Sequence, residues 1–162
     1  MYIYRNITEK LQRALKIYPV VLIGGARQVG KTTLVKNVLA NQGYSYYTLD
    51  DRSTLLFAQR DPQGFIENLV GPVVIDEIQR VPELLLAIKY VSDHDPKAGR
   101  FVITGSSNPM LLPSVADSLR GRIAILDVNP FSQGEFLGVK DDFLMYAFLK
   151  NNYAQNLFRP TI

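Results

Sequence analysis

The chain has 162 residues, 47% apolar and 20% charged, with a net charge of +3, one histidine and no cysteine. That size and balance suit one globular domain with a real core, and they exclude disulfides and thiolate or histidine-rich metal sites. No apolar run approaches the ~20 residues that span a bilayer, and the start, Met1 to Asn6, lacks a signal-peptide apolar core, so a cytoplasmic protein without a membrane partner is expected.

Asn6-Ile7-Thr8-Glu9 reads as a capping box opening a helix to about Ile17, with Ile7, Leu11 and Leu15 on one face. Pro19 stops it. Val20 to Ile23 reads as a buried strand, followed by a glycine-rich loop and a helix over about Lys31 to Ala40, with Gly43 just past its end. Tyr44 to Leu49 is strand-prone and ends at Asp50-Asp51. Two short helices broken at Asp61-Pro62 follow, then a buried strand over Pro72 to Ile75 capped by Asp76-Glu77.

Pro82 suits the first turn of a helix running to about Val91. Ser92 to Gly99 reads as a polar loop, and Phe101 to Thr104 as a fourth strand. Pro109 to Leu119 is helical with a break at Pro113, Ile123 to Val128 is a fifth strand, and Ser132 to Glu135 caps a last helical region. Strands joined through helices need crossover connections, so the sheet is expected to be mostly parallel in an α/β fold. Near-continuous apolar strands imply burial on both faces.

The loop Gly25-Ala26-Arg27-Gln28-Val29-Gly30-Lys31-Thr32 matches the P-loop pattern of glycine, four residues, glycine, lysine, and serine or threonine. Glycine gives the backbone freedom to wrap a phosphate, and the next helix offers free N–H groups to the anion. Lys31 then reaches the β- and γ-phosphates of ATP, the Thr32 hydroxyl is a Mg²⁺ ligand, and Thr33 adds a phosphate contact. Arg27 either touches phosphate or points outward.

Val73-Val74-Ile75-Asp76-Glu77 is an apolar strand ending in two carboxylates. After a P-loop, Asp76 suits Mg²⁺ and Glu77 suits a base that polarises attacking water. In Thr104-Gly105-Ser106-Ser107-Asn108, Ser106 is the first choice for a γ-phosphate or water contact, with a helix cap at Asn108 the plainer alternative. In Leu119-Arg120-Gly121-Arg122, an arginine reaches a γ-phosphate of its own or a neighbouring subunit, or is simply a solvated charge. His94 reads as a loop residue. Tyr44, Tyr46 and Tyr47 read as strand packing before base stacking, and Tyr4 with Arg5 is placed beside an adenine pocket. The scattered basic charge permits nucleic-acid contact without arguing for it.

Neither an Asn-Lys-x-Asp guanine reader nor a Leu-Ser-Gly-Gly-Gln transporter signature occurs. Adjacent Asp76 and Glu77 favour water attack over a small-molecule kinase. The stretches "GARQVGKTTL", "VVIDEIQRVPELL", "FVITGSSNPMLL" and "SLRGRIAILDVNPFSQGEF" together resemble a family of bacterial and archaeal AAA-type ATPases that carry a C-terminal domain of unknown function, somewhat like restriction-endonuclease folds. The resemblance covers about residues 1 to 137. It implies a three-layer α/β/α P-loop NTPase fold with a five-stranded sheet in the order 5-1-4-3-2.

It also implies Lys31 and Thr32 at the phosphates and Mg²⁺, Asp76 as Walker B, Glu77 as water activator and Ser106 to Asn108 as the sensor region. Arg122 is the regular arginine position and Arg120 the departure. Residues 138–162 read as an extension or the stump of a second domain, so that a truncated core binds ATP and hydrolyses it poorly. The resemblance leaves open a homo-oligomer, a protein or DNA client served through that second domain, and a non-hydrolysing ATP switch.

Overall fold

A computed structural model describes residues 2–105 and 119–138. Helix α1 is Thr8–Leu15, strand β1 Val20–Gly24, α2 Lys31–Leu39, β2 Ser45–Thr48, α3 Arg52–Arg60, α4 Pro62–Glu67, β3 Val73–Asp76, α5 Leu84–His94, β4 Phe101–Thr104, β5 Ile123–Asp127 and α6 Gln133–Leu137. A single 3₁₀ turn, Ile78–Arg80, follows β3. The sheet order is β2-β3-β4-β1-β5, and every neighbouring pair is parallel. Read from the other edge this is the expected 5-1-4-3-2.

Strand alternation divides the core into two. Val20 and Leu22 of β1 join Val73, Ile75, Phe101 and Ile103 against α3, α4 and α5. Val21 and Ile23 join Val74 and Val102 against α1 and α2. Side chains one residue apart on a strand point to opposite faces, so a fully apolar strand must be covered on both. The result is a three-layer helix–sheet–helix sandwich.

Parallel pairing also collects all five strand C-termini along one edge. Thr48 lies opposite Asp76, Ile23 opposite Thr104, and Gly24 opposite Asp127. The connections that enter the strands lie along the other edge. Among them Val70 is 87% exposed, and Gly71 beside it has open space where a side chain would stand.

Two local expectations are corrected. The capping box at Asn6 to Glu9 does not form. The residue before α1 is Ile7, already in helical conformation and without a side-chain cap. Thr8 N–H bonds the Arg5 carbonyl instead, and the Asn6 N–H is claimed by Glu135 at 2.6 Å. The capping box read at Ser132 and Glu135 does form, with both reciprocal bonds present.

The loop read at Ser92 to Gly99 is shorter than expected, because α5 continues to His94. Val91 and Ser92 are buried, and the His94 ring lies 4.2 Å from that of Tyr90 one turn earlier. Pro82 stands two residues before α5, its carbonyl accepting from Leu85 N–H at 3.0 Å. The helix read over Pro109 to Leu119 and the segment beyond 138 fall outside the described residues, Leu119 apart.

Candidate functional site

The loop between β1 and α2 is shaped by two glycines. Gly25 has φ +142°, and a Cβ there would stand 2.5 Å from the Val128 carbonyl oxygen. Gly30, with φ +91°, leads directly into α2. Both lie where side-chain-bearing residues are disfavoured, and the close approach at Gly25 leaves no room for one. Gln28 also takes a left-handed φ, of 65°.

The Lys31 ammonium closes this loop from within. It donates to the carbonyls of Gly25 at 2.9 Å and Ala26 at 2.8 Å, and the residue is buried. Because Lys31 opens α2, its charge sits beside the free N–H groups of the helix N-terminus. Ala26, Arg27, Gln28 and Thr33 are exposed, while Val29, Gly30 and Thr32 are half-buried.

Asp76 ends β3 and is buried. Its carboxylate gathers three hydroxyls: Thr32 at 3.1 Å, Tyr46 and Thr104. Burial, then the hydrogen bond to Asp76 and its charge, push the Tyr46 phenol above its ordinary pKa and keep it a neutral donor. Tyr46→Phe removes one donor and leaves the other two. It is expected to lower stability by about 1–2 kcal/mol in urea unfolding; an unchanged midpoint would contradict the assigned bond.

Glu77 follows in a left-handed conformation, φ 63° and ψ 44°. A non-glycine residue there carries about 1–2 kcal/mol of strain, a feature that clusters at functional sites. Thr104 holds the strained residue in place: its hydroxyl accepts the Glu77 N–H at 3.2 Å while donating to Asp76. The Glu77 carboxylate accepts from the Gln79 side-chain amide. The Gln79 carbonyl oxygen is buried without a hydrogen-bond partner among the described residues.

The loop, Asp76, Glu77 and Thr104 thus converge at the C-terminal edge of β1, β3 and β4. Ser106 lies outside the described residues. Arg122 does not reach this edge. It precedes β5, its carbonyl accepts the Val20 N–H at the start of β1, and its guanidinium pairs with Asp93 of α5. That is a strand's length from Gly24, about 15 Å at the usual rise. Arg120 is exposed beside it.

A sequence profile for the AAA domain matches residues 18–137. The chain belongs to the AAA domain family. It is 34% identical over 126 residues to two uncharacterized proteins, Rv2008c of Mycobacterium tuberculosis and Mb2031c of Mycobacterium bovis, each match covering 77% of this chain. The match spans only 28% of either relative's length.

Among solved structures, the Walker-type ATPase PABY2304 of Pyrococcus abyssi aligns with TM-score 0.59 and 22% identity, over 98% of this chain and 60% of that one. The RuvB Holliday junction branch migration motor of Thermotoga maritima aligns with TM-score 0.53 and 24% identity, over 86% and 50%. The Pif1 helicase of Candida albicans aligns with TM-score 0.54 and 15% identity, over 100% and 49%. These likenesses establish a P-loop ATPase fold, and with the family they make this AAA domain a nucleotide-binding, ATPase-type domain. No helix among its described residues is long and apolar enough to cross a membrane.

Two residues of this AAA domain, Tyr46 and Gln79, carried no expectation of a site role. Tyr46 was read first as strand packing, and only its place opposite Val74, two residues before Asp76, brings its hydroxyl to that carboxylate. Gln79 carried no signal beyond lying two residues after Glu77. Arg5, expected beside an adenine pocket, is buried and lines a cleft of 250 Å³ with Asn6, Lys10 and Asn129; its contact with the phosphate-loop motif was not expected. Tyr4 lines a neighbouring cleft of 540 Å³. Tyr44 bonds the Gly99 carbonyl at 2.7 Å, and Tyr47 meets Phe65 edge-on, so both serve packing.

Proposed function

We propose that this AAA domain is a Mg²⁺-dependent ATPase. The observation that carries the reading is the convergence of the Lys31 loop, the Thr32–Asp76 pair and the strained Glu77 at one sheet edge. In this reading the backbone of Gly25 to Gly30 lines the phosphates, Lys31 exchanges its two carbonyl partners for phosphate oxygens, and Thr33 adds a contact at the start of α2.

Thr32 and Asp76 fit Mg²⁺: both offer hard oxygen donors, 3.1 Å apart. The ion typically takes only one or two carboxylates besides phosphate and water. When bound it would neutralise charge on the phosphate oxygens. Tyr46 and Thr104 would keep the Asp76 carboxylate aimed as Thr32 turns to the ion. Glu77 would take a proton from the attacking water as a general base.

Ser106, two residues beyond β4 in sequence, is the proposed γ-phosphate contact. Arg122, at the other sheet edge, is proposed to serve a neighbouring molecule's site, which makes a homo-oligomer part of the same reading. The clefts beside Arg5 and Tyr4 are the proposed surroundings of the adenine. A cytoplasmic location and a protein or DNA client served through further sequence complete it.

Phosphate release by the wild-type chain, Lys31→Ala and Glu77→Gln tests the proposal. A Mg²⁺-dependent rate in the wild type alone supports it, and equal background rates in all three reject it. One observation favours a second reading, a non-hydrolysing ATP switch. The Glu77 carboxylate is engaged by Gln79, which would keep it from water. Tight ATP binding without turnover, with turnover appearing in Gln79→Ala, would distinguish a restrained base from an absent one.

A further inference from the structure

Arg5 lies far from the phosphate-loop motif in sequence, yet it is buried against it, with a relative exposure of 3%. One terminal nitrogen, Nη1, donates to the Val29 carbonyl of the loop at 2.9 Å. The other, Nη2, donates to the Asn129 carbonyl just after β5. Its Nε faces Glu135 Oε1 of α6 at 3.3 Å, and the guanidinium lies 4.2 Å over the Phe131 ring. A planar guanidinium holds its donors in a fixed fork, so it bridges separate segments with a geometry that a lysine ammonium, a compact charge on a flexible stem, does not reproduce.

What it grips is the wall of the loop. The Val128 carbonyl closes over Gly25, and Arg5 ties the neighbouring Asn129 carbonyl to Val29. A Cβ on Gly30 would stand 3.5 Å from Arg5 Nη1. The far anchor is equally built. Glu135 accepts the backbone N–H of Asn6 at 2.6 Å and of Ser132 at 3.0 Å, so α6 and the segment before α1 share one carboxylate.

We propose that Arg5 is a positioning residue for the nucleotide loop and that the Arg5–Glu135 pair couples α6 to it. The inference rests on the reading of residues 25–33 as the ATP cradle. Holding the Val29 carbonyl fixes the peptide plane that leads into Gly30 and Lys31, so the loop is preorganised before the anion arrives. Displacing α6 withdraws Glu135, frees the guanidinium and loosens the loop. Nucleotide binding in turn favours the docked α6, because coupling between two sites is reciprocal.

The test uses the whole chain with Arg5→Lys, Glu135→Gln and the double variant. The readouts are binding of a fluorescent ATP analogue, hydrogen exchange of the loop amides, and thermal melting. Arg5→Lys and Glu135→Gln are each expected to weaken analogue binding roughly 2- to 30-fold. Exchange should rise in residues 25–30 while β1, β3 and β4 stay protected. The double variant should lose less than the product of the two single losses.

A merely structural role would lower the melting temperature and leave the affinity of the folded protein and the loop's exchange unchanged; that result overturns the inference. Equal affinity in folded wild type and both single variants also overturns it while leaving the ATP site standing. If the wild type does not bind the analogue, the cradle reading and this inference fall together.

Discussion

Glu77→Gln is expected to lower ATP turnover by about 10²- to 10⁴-fold while leaving ATP affinity close to that of the wild type. The substitution keeps the size and hydrogen-bonding reach of the side chain and removes its capacity to accept a proton. The backbone at this position is fixed independently of the side-chain charge, because Thr104 holds the Glu77 N–H and β3 ends immediately before it. The two measurements therefore separate chemistry from binding: steady-state phosphate release should collapse, and titration with a fluorescent ATP analogue should not shift. Retention of wild-type turnover would remove Glu77 from the mechanism, whatever its strained conformation suggests.

Lys31→Ala is expected to act on binding first. Hydrogen bonds to charged groups contribute about 1.5–3 kcal/mol, so losing the ammonium should weaken ATP roughly 10- to 150-fold. The fold should tolerate the change. Lys31 is the first residue of α2, alanine is the strongest helix former, and one of the carbonyls it releases belongs to exposed Ala26. Calorimetric titration with ATP and Mg²⁺ reads the loss, and a melting curve within a few degrees of wild type certifies the fold. Unchanged affinity would mean that the carbonyl partners seen for Lys31 are its permanent ones and that the loop is no phosphate cradle.

A pH experiment probes the α6 anchor by a separate route. Burial raises the Glu135 pKa, but the N–H groups of Ser132 and Asn6 and the Arg5 charge outweigh it, so the group titrates below the ordinary glutamate range. A depressed folded-state value means its stabilisation is present above the unfolded pKa and is lost as pH falls through the folded one. Glu135→Gln should therefore be less stable than wild type at neutral pH, with the difference closing in acid below the ordinary glutamate pKa. Denaturant unfolding at several pH values measures this, and a pH-independent difference would assign the loss to packing.

What the sequence disclosed follows a physical division. Strands β1, β3 and β4 were legible because burial on both faces leaves almost no polar residue in them, and the loop was legible because its positive-φ turns demand glycine at set positions. The sheet order came with the family resemblance, since no local pattern reports which strands are neighbours. The false capping box shows why local signals fail. The right residue types stood at Asn6 to Glu9, but Glu135, 129 positions away, had a stronger claim on the Asn6 N–H.

The partners of Tyr46 and Arg5 were hidden for the same reason. They are supplied by the register of β2 on β3 and by the return of the chain past β5. The end of α5 was misread because Ser92, Asp93 and His94 look like loop residues. In the fold Asp93 pairs with Arg122, and the His94 ring meets the carbonyl and ring of Tyr90 one turn earlier, contacts that the local sequence does not report.

The turn at Val70 and Gly71 bears on experiment. It projects from the sheet edge opposite the loop, and the chain has no cysteine of its own. A cysteine introduced at Val70 would thus be a unique attachment point for a dye, a spin label or a surface tether. Each of the binding measurements above could then be repeated on immobilised or single molecules, with the edge that carries Lys31 and Asp76 facing away from the support.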